Sequence, residues 1–255
     1  MTDEFQKSAE VLVHHYEGLN DIEYDFRNRN LNELVASLIR GSSVLDVGAG
    51  VGFLVELLCR KGKRAIGVEP NTRLIELAKN RNRTLDIRAS GIDTIHSVVS
   101  DTFDSVVFID VLEHLKDDRK GLLNVQKLLT GDGTVVVVVP AYQWLYGRRD
   151  RKYGHFRRYS KSGLGDLLTS TGFEPRVIRY WNTLGILPYW FSEKIRGKEL
   201  ETNLRHESQG LKRLIQKLLF FWFRYVENPF HFGFGLSLIA VGETKKAAEA
   251  AANVV

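Results

Sequence analysis

The sequence predicts a doubly wound α/β domain built on a seven-stranded, mostly parallel sheet. Three observations carry this. From Ser43 to Pro140, short apolar runs alternate with stretches of helical periodicity, the signature of strand–helix–strand units joined by right-handed crossovers. The five valines from Val135 to Val139 show no polar alternation, so that strand is buried on both faces, between helical layers. Three glycines, Gly48, Gly50 and Gly52, fall within five positions between an apolar run and a helical one.

Taken in order, residues 1–40 read as a helical lead-in, with FRNRNLNELVASLI as its amphipathic part. SVLDVG is the first strand. GFLVELLCRKG follows with helical spacing at Phe53, Leu54, Leu57 and Leu58 and stops at Gly62. RAIGVEP is the second strand, ended by Pro70. NTRLIELAKNRN is a helix capped by Asn71 or Thr72, with Leu74, Ile75, Leu77 and Ala78 on one face. TLDIRAS, FDSVVFID and TVVVVVP supply strands three to five, with EHLKDDRKGLLNVQKLLT as the helix after the fourth. SGLGDLLTSTGF reads as a helix, EPRVIRYWN as strand six and GLSLIAVGET as strand seven. About 50 residues separate the last two strands, far more than a hairpin needs. The expected organisation is therefore a core of 41–182 and 235–244, a helical cap at 183–234 and a disordered tail at 245–255.

Hydrophobic content of 44% and charged content of 26% are those of a soluble globular chain. Cys59 is the only cysteine, which excludes an intramolecular disulfide and a cysteine-rich zinc site. It falls in the first core helix, where burial is expected. The start, MTDEFQKSAE, lacks the basic and apolar regions of a secretory signal. No apolar run approaches the ~18 residues of a membrane span. A cytoplasmic location is expected, with peripheral contact at the inner membrane face as an option. The net charge of +5 is unevenly spread: AYQWLYGRRDRKYGHFRRYS, Ala141 to Ser160, holds six Lys or Arg and one Asp. So dense a basic loop points to an anionic ligand.

In an open parallel sheet, ligands bind at the carboxyl ends of strands where the strand order reverses. The glycines after Asp46 occupy such an end. Gly48 and Gly50 allow close backbone approach to a ligand, and Gly52 allows helix and strand to pack. Roughly 20 residues further on, Glu69 ends the second strand, the spacing at which a carboxylate holds ribose hydroxyls. The loop is not G-x-G-x-x-G, and it lacks the Gly-Lys-Ser/Thr ending of a phosphate cradle.

The D-V-G-A-G-V-G pattern, with Glu69, Ser90-Gly91-Ile92-Asp93 and FDSVVFIDVLEHL, resembles the class I S-adenosylmethionine-dependent methyltransferases over residues 43–172. DVLEHL is similar to the small-molecule branch that includes the quinone-biosynthesis methyltransferases. GHFRRYSKSGLGDLLTSTGF resembles a bacterial subgroup with a G-H-x-R-R-Y segment, associated with glycan and lipid modification. The resemblance implies a Rossmann-like methyltransferase fold and S-adenosyl-L-methionine as cofactor. It implies that Gly48 and Gly50, with Ala49 between them, pass the methionine part while Asp46 orders the loop, and that Glu69 chelates the ribose hydroxyls with Pro70 beside it. Gly91, Ile92 and Asp93 would face the adenine, and Asp110 the cofactor's amino group or the acceptor. Phe26-Arg27-Asn28-Arg29 matches an aromatic-Arg segment of the subgroup, so Arg27 would pair with the methionine carboxylate; a solvated helix arginine is the alternative.

A sulfonium-bound methyl is already activated, so alignment and water exclusion dominate, and a hydroxyl acceptor additionally needs a base. His155 in the basic loop and His114 after strand four are the candidates. Arg157 and Arg158 form a candidate clamp for phosphate or carboxylate, or else a salt-bridged lid; Tyr159 and Tyr142 join them as acceptor-binding candidates. No metal site is expected. A small or lipid-linked, anionic acceptor and O-methylation are expected, against a non-catalytic cofactor-binding module. Nucleic acid is disfavoured, because the Asp/Asn-Pro-Pro-aromatic segment of exocyclic-amine methyltransferases is absent and Asp110-Val-Leu-Glu stands in its place. LKRLIQKLLFFWFRY puts Leu211, Leu214, Ile215, Leu218, Leu219 and Trp222 on one face, suited either to packing on the sheet or to a membrane surface through 211–225. Oligomeric state is not readable.

Overall fold

The computed structural model describes residues 25–197 and 209–244, with residues 10, 11, 13, 14 and 16 of the N-terminal segment. The expected tail at 245–255 and most of the first 24 residues lie outside that set. Seven strands, β1 (Ser43–Val47), β2 (Arg64–Glu69), β3 (Ile87–Ala89), β4 (Phe103–Ile109), β5 (Leu129–Pro140), β6 (Phe173–Trp181) and β7 (Ser237–Thr244), form one sheet. Their order is β3-β2-β1-β4-β5-β7-β6. The first five are parallel, and β7 runs antiparallel to both β5 and β6.

Helices α1 (Phe26–Leu38), α2 (Phe53–Arg60), α3 (Thr72–Arg81), α4 (Asp118–Gln126), α5 (Arg148–Lys152) and α6 (Lys161–Ser170) flank it. Each well-capped start follows a side-chain acceptor that satisfies a first-turn N–H. Asp25 receives Asn28 N–H at 3.1 Å, Asn71 receives Arg73 N–H at 3.0 Å, Asp117 receives Lys120 N–H at 2.9 Å, and Ser160 receives Gly163 N–H at 3.0 Å. Asp117 also explains a departure from expectation. The helix expected from Glu113 onward is interrupted: Leu112–His114 form a single 3-10 turn, and α4 begins only after the Asp117 cap.

Both faces of the sheet are covered. Val135, Val137 and Val139 join Leu45, Val106 and Phe108 on one side, while Val136 and Val138 join Val44, Val107 and Ile239 on the other. The valine run is thus split between two cores by the pleat. The cap between β6 and β7 contains α7 (Ile186–Trp190), which continues into a π-helical segment Phe191–Arg196, and α8 (Gly210–Trp222), which continues into Phe223–Glu227. Cys59 is exposed, contrary to expectation. It lies past the buried Leu54–Val55–Leu58 face, in the last turn of α2.

Order reverses between β1, which leads to β2 and β3, and β4, which leads to β5, so a crevice opens beyond their carboxyl ends. Gly52 holds this corner together. At φ +77°, a Cβ there would lie 2.5 Å from Ile87 Cδ1 on β3, whereas one on Gly62, at φ +79°, would meet nothing within 4 Å among the described residues. Gly62→Ala should cost only the left-handed backbone penalty, about 1–2 kcal/mol. Gly52→Ala should cost at least about 1 kcal/mol more from overpacking. Urea unfolding of the two variants checks this, and equal losses would contradict the packing role.

Candidate active site

The glycine loop, the end of β2 and the end of β4 converge on the crevice. Gly48 and Gly50 adopt φ of +73° and +55°. Gly48 N–H and Ala49 N–H both donate to Val68 O, at 2.8 and 3.0 Å. The Glu69 carboxylate is buried and accepts Gly50 N–H at 2.9 Å on one oxygen and Asn71 N–H at 2.9 Å on the other. One side chain therefore ties the glycine loop to the start of α3. Burial pushes Glu69 above its ordinary value, with the two N–H donors opposing. Asp46, on the adjacent strand, is pushed up to about 7 by burial and then by the Glu69 charge. Two buried carboxylates side by side make a pocket that favours a cation.

The loop leaves room for a ligand at two points. A Cβ on Gly50 would meet Tyr16 first, at an ordinary 3.7 Å, and one on Gly91 would meet nothing within 4 Å among the described residues. At Gly48 the Cβ would collide with Val111 Cγ2 at 2.5 Å, so that glycine also serves packing. Tyr16 over Gly50 had no signature in the sequence. Ile92 O accepts Asn124 Nδ2–H at 3.1 Å, which anchors the loop after β3. Asp93 is committed outward, paired with Lys120 Nζ at 2.7 Å on the surface. Pro70 is exposed just beyond Glu69.

Asp110 directly follows β4 in the left-handed region, at φ +53°, a conformation that costs energy. Its carboxylate lies 3.5 Å from Arg27 Nη2. Arg27, in the first turn of α1, also stacks over the buried Trp181 ring at 5.4 Å. The structure thus brings Arg27 to the crevice rim.

The basic loop after β5 is organised by its single acid. Asp150 is fully buried; both oxygens lie 2.9 Å from Arg158 Nε, and its Oδ1 lies 2.8 Å from His155 Nδ1. Tyr189 O–H and Gly147 N–H also donate to Asp150, at 3.1 and 2.8 Å. Burial alone would raise its pKa, but the His155 and Arg158 interactions outweigh it and hold Asp150 at about 2. Arg158 is buried too, donating to Ala141 O at 3.2 Å and Tyr189 Oη at 2.6 Å. Of the two sequence alternatives for Arg158, the structure shows the salt-bridged one, because its donors face Asp150, Ala141 and Tyr189. Arg157 is half-buried on Asp118, at 2.9 Å, and donates to Lys116 O at 2.6 Å. Tyr159 donates to the same Asp118 oxygen at 2.7 Å, and burial pushes its phenol well up. Tyr142, at φ +65°, stacks on Tyr180 with centroids 5.3 Å apart, and burial pushes it up to about 12.

His114 and His155 meet edge to face, with centroids 4.6 Å apart. Burial and then the nearby His155 pull His114 down to about 4, so it is neutral at physiological pH. Beside them Glu113 is fully buried, and neither carboxylate oxygen has a partner among the described residues. Burial and then Asp110 push Glu113 well above the carboxylate range. Ligand atoms of Glu113, His114 and His155 all lie within 4.8 Å of one another. That set suits a divalent cation, with Asp150 fixing the His155 ring from behind as ligating histidines require. No metal ligands were expected from sequence, and Glu113 and Asp150 were not among its site residues. Asp150 did leave a signal, as the lone acid among six cations.

Residues 15–177 match a family model described as a methyltransferase domain. The chain belongs to this family and has the class I S-adenosylmethionine-dependent methyltransferase architecture. It is similar to the mitochondrial ubiquinone biosynthesis O-methyltransferase of Bos taurus, 29% identical over 131 residues, covering 47% of this chain and 35% of that one. The matches thus span less than half the length of such relatives, 46% for the Bradyrhizobium diazoefficiens enzyme. In solved structures, it resembles a Thermotoga maritima SAM-dependent methyltransferase with a TM-score of 0.61 at 19% identity, covering 93% of this chain and 98% of that one. A Bradyrhizobium japonicum N-methyltransferase in complex with S-adenosylhomocysteine gives a TM-score of 0.54 at 18% identity, over 93% and 98% of the two chains.

The acid pair generates a pH-dependent outcome. Between the ordinary 3.8 and about 7, Asp46 holds more proton when folded than when unfolded. Its contribution to stability is therefore complete below that window and withdrawn as pH rises through it. Asp46→Asn should raise the melting temperature relative to the native chain more at pH 8 than at pH 4. Calorimetry at both pH values checks the sign; a gain confined to acid pH would contradict it.

Proposed function

We propose that the protein transfers a methyl group from S-adenosyl-L-methionine to an oxygen of a small, anionic or lipid-linked acceptor, with His155 as the base. The observation that supports it most is the pair formed by the half-buried His155 and the buried Asp150, beside His114 and Asp110. S-adenosylmethionine supplies a methyl group already activated on a sulfonium. Glu69 would hold the ribose hydroxyls, while Asp46 and Glu69 favour the positive charge. Arg27 would pair with the methionine carboxylate, and Gly50 leaves space over the loop. Ile92 and the Gly91 backbone would line the adenine; Asp93 would serve there only by releasing Lys120.

Asp150 accepts the Nδ1–H of His155, which leaves Nε2 as the basic nitrogen and stabilises the imidazolium once it takes the acceptor proton. His114, neutral, can relay but not compete for that proton. Arg157, at the mouth, is the remaining candidate for the acceptor's negative charge, with Tyr142 and Tyr180 as a stacking surface. Arg158 positions Asp150. An acceptor attached to lipid would place the protein at the inner membrane face.

A second reading rests on Glu113, whose buried oxygens have no partner among the described residues. In it Glu113, His114 and His155 hold a divalent cation, and an acceptor hydroxyl beside them ionises near neutral pH. Dialysis against a chelator separates the two, since only this reading loses activity and regains it on adding metal.

Turnover is followed as S-adenosylhomocysteine release with phenols, hydroxy acids and lipid or glycan extracts, and as a gain of one methyl mass in the product. His155→Ala should lower turnover about 10²–10⁴-fold and leave cofactor affinity nearly unchanged; full activity across the pH range would place the base elsewhere. Glu69→Ala removes hydrogen bonds to a charged acceptor contributing ~1.5–3 kcal/mol each. Calorimetry should then read an affinity at least tenfold weaker, and an unchanged affinity would mean that the ribose site is misplaced.

A further inference from the structure

Helix α8 is fastened to the body by one face and presents a second, apolar face to solvent. On the fastened side Gln216 and Phe223 are buried. Beyond its end the buried Glu227 carboxylate accepts Thr183 N–H at 3.1 Å, Thr183 O–H at 2.6 Å and Trp222 Nε1–H at 2.9 Å. Arg179 donates to Asn228 O, Glu227 O and Phe230 O, at 2.8, 2.6 and 2.6 Å. These buried polar contacts hold the helix in this orientation.

The opposite side carries Leu211, Leu214, Leu218, Phe221 and Tyr225, which are 53–72% exposed. Their spacings of three and four residues place them in a single stripe. Beside it, Arg213, Lys217 and Arg224 form a basic column, and from Gly210 to Val226 there is no acidic residue. The other helical part of the cap does the same: Leu187, Trp190, Phe191 and Ile195 are exposed. Soluble proteins rarely leave apolar faces of this extent uncovered.

We propose that this face rests on an anionic phospholipid bilayer, with α8 lying in the plane of the surface. Leucine and phenylalanine would enter the acyl boundary, and the basic column would lie among the headgroups. Thirteen residues make about 20 Å of helix, too short to cross a hydrocarbon core of roughly 30 Å. Among the described residues no helix is long and apolar enough to span a membrane. Charge argues against a second copy of the chain, since two such faces would oppose basic columns with no acid to pair them. This inference is independent of the methyl-transfer reading.

The test is flotation of the full chain with vesicles of phosphatidylcholine alone and of phosphatidylcholine with phosphatidylglycerol, at low and high salt. The native protein should bind the anionic vesicles at least about tenfold more tightly than the neutral ones, and lose binding as salt rises. Two surface variants, Leu214→Gln with Leu218→Gln, and Arg213→Glu with Lys217→Glu, should each weaken binding about tenfold or more, with circular dichroism and melting temperature unchanged. Absence of vesicle binding, equal binding to both compositions, or binding indifferent to both variants would overturn the proposal. So would a concentration-dependent dimer, broken by the leucine pair, in a protein that ignores vesicles, because the face would then be a self-interface.

Discussion

Two carboxylates buried at the ends of adjacent strands are the constraint around which the crevice is organised. Asp46 and Glu69 lie on β1 and β2, which pair in register from Ser43↔Arg64 to Val47↔Val68. Putting two acids there is unfavourable by desolvation and by mutual repulsion. Glu69 offsets part of this through the N–H groups of Gly50 and Asn71, and in doing so sets the path of the glycine loop and the entry to α3. Asp46 is left with the larger imbalance. A ligand that brings positive charge would relieve it.

The other side of the crevice is arranged on the opposite principle. The loop from Ala141 to Ser160 looks like a field of free positive charge, yet its innermost cation is consumed by its only acid. Asp150 gathers Arg158, His155, Tyr189 and the Gly147 backbone into one buried network. The loop is closed on itself by Tyr142 N–H to Tyr159 O and Tyr159 N–H to Pro140 O, at 2.8 and 2.9 Å. The Asp150 contact holds the His155 ring in one orientation, as the proposed role of base would require. Glu113, without a hydrogen-bond partner among the described residues, lies beside the histidines where the network remains open.

Much of this was legible in local sequence. The valine run, the glycine spacing and Glu69 each express a requirement of a few consecutive residues: burial on two faces, positive φ, or an acid at a strand end. What was not legible depends on contacts between distant segments. Arg158 faces Asp150 within its own loop, but the burial of that pair is completed by Tyr189 from the cap, 31 residues away. The His114–His155 contact joins two loops across the crevice. Helical periodicity put Leu211, Leu214 and Leu218 on one face with Ile215, Leu219 and Trp222, but the structure leaves only the first three exposed, beside Phe221 and Tyr225, and half-buries the other three; the polar anchors Arg179 and Glu227 fix that rotation. The antiparallel entry of β7 between β5 and β6 likewise follows from where the insertion returns, which no periodicity encodes.

On the proposed function, the Asp46–Glu69 crevice selects a sulfonium. The most direct test is calorimetric affinity for S-adenosylmethionine and for S-adenosylhomocysteine, which differ in the methyl and its charge, measured across pH 5 to 8. As Asp46 ionises, the preference for the sulfonium should strengthen with rising pH and flatten above about 7. A preference that is constant over this range, or binding of neither compound by folded protein, would contradict it.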